Sequence, residues 1–219
     1  MDGRAASDLR ELAARDSELR SAAETLRRLD AQVSALRTRA ETIDAFFTTY
    51  PDEETRRRET GSAAEAELAR RRTGVTEAER ELAAARDAET RERAQNAVAR
   101  ARDHFHVAEA TLARARAAAA ELEREAANLT AEVPQLEARA RAIAAQVDGV
   151  PPAPTGVRGL VEWASHAHAE LFVATGQLDA ERDRVIREAN ELATMLLGEP
   201  TYGSTVAPLA ERVLPLARE

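Results

Sequence analysis

Residues 12–50 have the sequence LAARDSELRSAAETLRRLDAQVSALRTRAETIDAFFTTY, in which apolar side chains repeat with a period of seven. One column takes every seventh residue, and a second column lies three places after it. The two columns are Leu12, Leu19, Leu26, Val33, Ala40, Phe47 and Ala22, Leu29, Leu36, Ile43, Tyr50. Alternating spacings of three and four put both columns on one face of a helix, which a second helix has to cover. The stretch therefore predicts a coiled coil.

The composition of the whole chain also favours long helices. Of its 219 residues, 44% are hydrophobic and 32% are charged, whereas only 3% are aromatic. Alanine, leucine, glutamate and arginine dominate, and this mixture with heptad spacing is typical of long helices. Few large rings are present to fill a thick globular core. We predict an all-α fold: an elongated antiparallel coiled coil of three long helices plus a short C-terminal helix.

Proline and glycine predict where these helices end. Helix one occupies residues 1–50 and stops before Pro51, because proline disfavours helical geometry in the residue before it. Residues 51–61 form a polar connector. Ser62 and Glu65 fit a capping box that begins a long middle helix over 62–148. The heptad columns of this helix change phase, which predicts a stutter near 83–97, and Pro134 predicts a kink.

The remaining boundaries follow from a second cluster of helix-breaking residues. A Pro/Gly turn covers 149–156, helix three covers 157–198 and ends at Gly198, and the tail 199–219 holds one short helix. By length, helix one pairs with the first half of the middle helix and helix three with the second half. Two alternatives are a compact bundle, in which the middle helix breaks near 86–96, and a homodimer.

Charge and residue usage exclude several classes of function. The net charge of −8 argues against a surface that is basic throughout. All 31 basic residues are arginine, so the chain lacks the lysine of a phosphate-binding P-loop. The absence of cysteine excludes disulfides and thiolate metal sites and fits a cytoplasmic location. No apolar run approaches the roughly 20 residues that span a bilayer.

The sequence offers no catalytic or metal-binding constellation. His104 and His106, like His166 and His168, are two residues apart and so point to different sides of a helix. The Glu-x-x-His pattern of diiron bundles does not occur. We therefore predict a protein that is not an enzyme and has no cofactor, metal site or catalytic residue.

Two arginine triplets are the candidate contacts for nucleic acid. They are Arg56, Arg57, Arg58 and Arg70, Arg71, Arg72. Clustered guanidinium groups can contact phosphates. The neighbouring glutamates favour the alternative, a solvated surface on which they neutralise the arginine charges.

Four apolar residues are candidate contacts for a protein partner. Trp163 and Phe172 lie after the Pro/Gly turn, and Leu209 and Val213 lie in the tail. Exposed aromatic residues often dominate binding energy at interfaces. The alternative is that Trp163 anchors the turn and that the tail docks on the chain itself.

Long heptad helices that fold back at Pro/Gly turns resemble the coiled-coil arms of SMC- and Rad50-like ATPases. The tract EANELATMLLG at 188–198 is similar to such arms. The resemblance implies an arm without an ATPase head or zinc hook. We expect a coiled-coil scaffold, spacer or interaction module, either complete or part of a longer protein. The alternatives are an ATPase-coupled arm that touches nucleic acid through arginine, and an amphipathic protein that adsorbs to membranes.

Overall fold

The computed structural model describes residues 3–213 and contains four helices and no strand in that range. The helices are α1 (Gly3–Ala84), α2 (Ala88–Ala144), α3 (Val157–Leu197) and α4 (Val206–Val213). The prediction of an all-α chain with three long helices and a short C-terminal one is therefore confirmed. The chain divides into two units. Unit 1 comprises residues 1–41 and 134–219, and unit 2 comprises residues 42–133.

The predicted connector at 51–61 is wrong, because α1 continues through Pro51 to Ala84. Proline removes one backbone hydrogen bond from a helix but does not have to end it. The residues that follow stabilise the helix locally. Arg57 and Arg58 pair with the glutamates four places before them, at 2.8 and 2.7 Å. This order of charges, acid before base, suits a helix.

The predicted capping box at Ser62 is also wrong, because this serine lies in the interior of α1. Its predicted partner, Glu65, instead accepts a hydrogen bond from Arg116 of α2 at 2.9 Å. The predicted long middle helix over 62–148 is thus divided between the end of α1 and the whole of α2.

The chain reverses at residues 85–87, inside the region where the stutter was predicted. Asp87 begins α2 as its N-cap, since its Oδ1 accepts the backbone N–H of Thr90 at 2.7 Å. This hydrogen bond holds the pKa of Asp87 below its ordinary value of 3.8. The helix was predicted to continue through this stutter, which is wrong; the break lies at the edge of the alternative position, near 86–96.

Unit 2 is a hairpin of two antiparallel helical segments, 42–84 and 88–133. Three polar contacts cross between them: Arg57 donates to the carbonyl of Ala118, Arg116 pairs with Glu65, and Arg102 pairs with Glu79. Residue numbers rise on one segment as they fall on the other, which defines the antiparallel direction. The buried seam mixes alanine with larger aliphatic residues: Ile43, Ala64, Ala78, Ala94, Val98, Ala108, Leu112, Leu122 and Leu129.

Unit 1 packs the first half of α1 against α3, also antiparallel. Arg15 pairs with Glu181, and Arg27 pairs with Asp179 at 2.9 Å. Helix one was predicted to lie along the first half of a middle helix and helix three along its second half, and both pairings are wrong. The prediction failed because it placed the first reversal of the chain before Gly61 instead of at residues 85–87.

The bounds of α3 agree with the sequence signals, whereas α2 ends four residues before the predicted 148. Helix α2 continues through Pro134 to Ala144, and Gly149 and Gly156 then adopt positive φ angles in the turn. Helix α3 ends at Gly198, whose φ of 69° is left-handed and whose N–H donates to the carbonyl of Thr194. Glycine adopts this conformation without the clash that a Cβ would cause.

Replacing Gly61 with alanine is expected to stabilise the protein. Gly61 lies inside α1, and a Cβ added there would meet no atom within 4 Å. In the interior of a helix, alanine is more favourable than glycine by about 0.5–1 kcal/mol. Thermal denaturation followed by circular dichroism should show a higher Tm. The matched control is Gly198→Ala, which should lower the Tm because of its positive φ. An unchanged Tm for Gly61→Ala would contradict a continuous α1.

The carboxylate of Asp87 is expected to stabilise the protein only while it is ionised. Because its pKa is lowered on folding, its contribution is present above pH 3.8 and disappears as the pH falls through the folded-state pKa. Asp87→Asn keeps a capping oxygen but cannot titrate. The Tm of the wild type should exceed that of the variant at pH 7, and the two should converge near pH 2. Asp103→Asn, an exposed change on the same helix, is the control; a difference that persists in acid would argue against this role of the charge.

Candidate interaction surfaces

The first arginine triplet lies on α1 and is engaged by acidic neighbours. Glu53 accepts hydrogen bonds from Arg57 at 2.8 Å and from Arg56 at 2.7 Å. The hydrogen bond from Arg57, with the positive charge of Arg56, holds the pKa of Glu53 below its ordinary value. Arg58 pairs with Glu54 at 2.7 Å. A phosphate would have to compete with these carboxylates for each guanidinium group.

The second triplet shows the same pattern. Glu67 accepts from Arg70 at 2.9 Å and from Arg71 at 2.6 Å, and Arg72 is exposed. Five of the six triplet arginines therefore face a carboxylate of their own helix. Pairs between exposed side chains contribute little stability and exchange readily with solvent. This arrangement is the charge-neutralised face that the sequence left as the alternative to a nucleic-acid contact, and phosphate binding by the triplets stays a prediction.

Trp163 lies in the core of unit 1 beside the Pro/Gly turn. Only 4% of the residue is exposed, and its Nε1–H donates to the carbonyl of Pro151 at 2.8 Å. On the same turn, the N–H of Gly156 donates to Glu137 at 2.8 Å. The indole thus joins α3 to the segment before it. In this structure Trp163 anchors the turn and is not accessible to a partner.

The tail helix α4 docks on the chain itself. Leu209 and Val213 are buried in a core cluster with Leu9 of α1 and Val185 and Ala189 of α3. An eight-residue helix is not stable alone in water, so this packing has to supply its stability. These two residues face the interior of unit 1, which corrects their prediction as exposed partner contacts.

A buried carboxylate joins α1, α3 and α4, and the sequence did not indicate it. The side chain of Asp16 is 2% exposed and lies 2.7 Å from Nε of Arg182 and 3.2 Å from Arg20. Its Oδ2 also accepts the N–H of Val206, the first residue of α4, at 3.3 Å. A negative charge at that position stabilises α4, because the N-terminal end of a helix dipole is positive. Asp16 therefore satisfies three donors from three helices.

The loop between α3 and α4 is braced by one amide side chain. Asn190 donates to the carbonyl of Gly203 at 2.8 Å and accepts its N–H at 2.6 Å. Thr201 adds a hydrogen bond to the carbonyl of Asn190 at 2.8 Å. An open groove of about 750 Å³ lies between this loop and α3, with Met195 and Tyr202 exposed at its edge.

Phe172 is the one candidate partner residue of the four that the structure leaves accessible. It is 74% exposed on the outer face of α3, and the neighbouring Val173 is 53% exposed. Leu171, next to them in sequence, is fully buried on the opposite face. The three residues show that α3 carries apolar side chains on both faces, whereas only one face is covered within unit 1.

The histidines form no metal site within the described residues. The structure contains no group of three or more histidine, aspartate or glutamate side chains that could hold an ion there. His106 contacts Glu109 at 3.1 Å on its own helix, and His168 of α3 contacts Asp30 of α1 at 2.5 Å. The second contact links two helices of unit 1, and the sequence gave no signal for it because 138 positions separate the two residues.

None of the helices described here has the length and apolar character needed to cross a bilayer. The likeness to SMC- and Rad50-like arms rests on heptad spacing, which many helical proteins share, and it stays a prediction. When the chain is compared with known protein families, characterised proteins and solved structures, none of them matches it.

Proposed function

We propose that the protein is a non-enzymatic helical scaffold whose hairpin, unit 2, acts as a spacer of fixed length. The observation that carries this proposal is the register of the hairpin. Cross-helix contacts occur at three levels, between residues 57 and 118, 65 and 116, and 79 and 102. They define one register over the middle of the hairpin, and the buried seam beside them supplies the packing that opposes sliding.

The seam between these helices suits a spacer. Every residue of this seam is aliphatic, four of them alanine, so the interior between the two helices offers no polar group for binding a substrate. An arm of about 43 residues extends roughly 65 Å at 1.5 Å per residue. The hairpin thus separates the reversal at 85–87 from its own base by a defined distance.

The proposal is tested by shortening the hairpin without changing its register. Deleting residues 66–72 and 109–115 together removes two opposed heptads, since the cross-helix contact 65–116 lies beside both. The arms should shorten by roughly 10 Å and keep the phase of the seam. Circular dichroism is expected to show that the variant folds. In a source strain from which the gene has been deleted, the variant is expected not to restore the wild-type phenotype. Full complementation by a folded, shortened protein would refute a role in spacing.

A full-length control separates spacing from phosphate contact, because the deletion also removes the second arginine triplet. The control changes Arg70, Arg71 and Arg72 to glutamine, which keeps the length and the helical propensity. It is expected to complement the deletion strain. If it fails to do so, and if the wild type binds duplex DNA at low salt, the nucleic-acid function replaces the proposal of a spacer.

A further inference from the structure

The outer face of α3 carries a second heptad column that nothing covers. The column begins at Glu162, ends at Arg187, and alternates spacings of four and three residues throughout. Every residue in it is exposed. The opposite face of α3 holds the residues that pack within unit 1, among them Leu160, Leu171 and Val185. Helix α3 therefore presents two seams, and one of them is free.

The centre of this column is apolar and narrow. It consists of Ala169, Val173, Gly176 and Ala180, with the exposed ring of Phe172 beside it. A Cβ added at Gly176 would meet no atom within 4 Å, so the space above this glycine is open. Small residues at heptad positions let another helix approach closely. The centre can thus receive a helix with an equally narrow face.

The charged ends of the column identify which helix that is. If the column meets a copy of itself in the antiparallel direction, Val173 lies opposite Gly176 and Ala169 lies opposite Ala180. The same register places Glu162 opposite Arg187 and His166 opposite Asp183. Imidazole can donate a hydrogen bond to a carboxylate, and the guanidinium group can pair with glutamate. The column is therefore complementary to itself in both shape and charge.

These four polar residues are not engaged elsewhere. The structure records no ion pair or side-chain hydrogen bond for Glu162, His166, Asp183 or Arg187 within residues 3–213, although many exposed arginines pair on their own helix. A two-fold interface uses the same patch on both copies, so each pair would occur twice. In a parallel arrangement, by contrast, each charge would lie beside its own copy.

We infer that the outer face of α3, from Glu162 to Arg187, is a homodimer interface in which two copies pair antiparallel about a two-fold axis between residues 174 and 175. The interface goes beyond the proposed spacer and does not depend on it. The column extends roughly 38 Å along the helix and buries few large side chains, so we expect a dissociation constant in the micromolar range.

Sedimentation equilibrium of the full chain over a range of concentrations tests the interface. The wild type is expected to change from monomer to dimer mass as its concentration rises. Val173→Glu puts a carboxylate at the centre of the seam and should weaken dimerisation roughly tenfold or more. Val107→Glu is the matched control, because Val107 is 63% exposed on α2, outside the column. A monomer at every concentration, or an equal effect of both substitutions, would overturn the inference.

Charge exchange tests the antiparallel register. Glu162→Arg alone, and Arg187→Glu alone, each place like charges opposite one another twice and should weaken the dimer by roughly 3- to 10-fold. The double variant Glu162→Arg with Arg187→Glu should restore the wild-type constant. Both residues are exposed, so circular dichroism should show unchanged helicity in all three variants. A double variant as weak as the single ones would rule out this register.

Discussion

Replacing Asp16 with alanine is expected to lower the free energy of unfolding by about 3 kcal/mol. The carboxylate is 2% exposed, and its loss leaves Arg182 and the N–H of Val206 without their acceptor. Removing one partner of a buried charged pair destabilises a protein mainly through the desolvated group that remains. Chemical denaturation followed by circular dichroism measures the change.

Asp8→Ala is the matched control for this prediction, since Asp8 is an exposed aspartate of the same helix. It is expected to change the free energy of unfolding by at most about 0.5 kcal/mol. Hydrogen exchange adds a local measurement: the amides of α4 should lose protection in the Asp16 variant before those of unit 2. If the two substitutions have equal effects, Asp16 does not hold the three helices together.

Replacing Trp163 with alanine is expected to destabilise the protein by about 3–5 kcal/mol. The indole is almost completely buried and its Nε1–H is bonded to the carbonyl of Pro151. The substitution removes the apolar contacts of the ring, leaves a cavity beside the turn, and leaves a carbonyl without its donor. Thermal or chemical denaturation should show the loss, and tryptophan fluorescence of the wild type should report the same transition.

Phe172→Ala provides the contrast, because Phe172 is an aromatic residue of the same helix that faces outward. At a concentration where the protein is monomeric, this change should alter the free energy of unfolding by about 0.5 kcal/mol or less. The two residues looked alike as partner contacts in the sequence. An equally large loss in both variants would show that the outer face of α3 is also part of a core.

The sequence located the bounds of α3 well and the first reversal of the chain poorly. Gly198 ends α3 in a left-handed conformation, and glycine with the proline that follows it is a local pattern that reveals such an end directly. At Pro51 the local signal was misleading, because pairs such as Glu53–Arg57 support a helix that proline alone would weaken. The true reversal at residues 85–87 contains no proline or glycine, and its one local signal is the N-cap Asp87, which is weaker than the proline at 51.

The interaction surfaces were harder to predict, for a related reason. Apolar residues at heptad spacing indicate that a face is covered, but not by which segment. Leu209 and Val213 are buried against other helices of the same chain, whereas Phe172 is exposed. Asp16 stands at a heptad position between Leu9 and Ala23, both buried. A charge there looks like an interruption of the seam until Arg182, 166 positions away, is seen beside it.

The hydrogen bond between Asp16 and Val206 joins groups 190 positions apart, and this separation sets an order of events during synthesis. Unit 2 is a continuous stretch of chain, so its hairpin can close as soon as residue 133 has left the ribosome. Unit 1 needs α1 together with α3 and α4, which are made last. The apolar face that contains Leu9 therefore stays exposed until α3 and α4 have been synthesised. During that interval the nascent chain is most prone to aggregate and to bind chaperones.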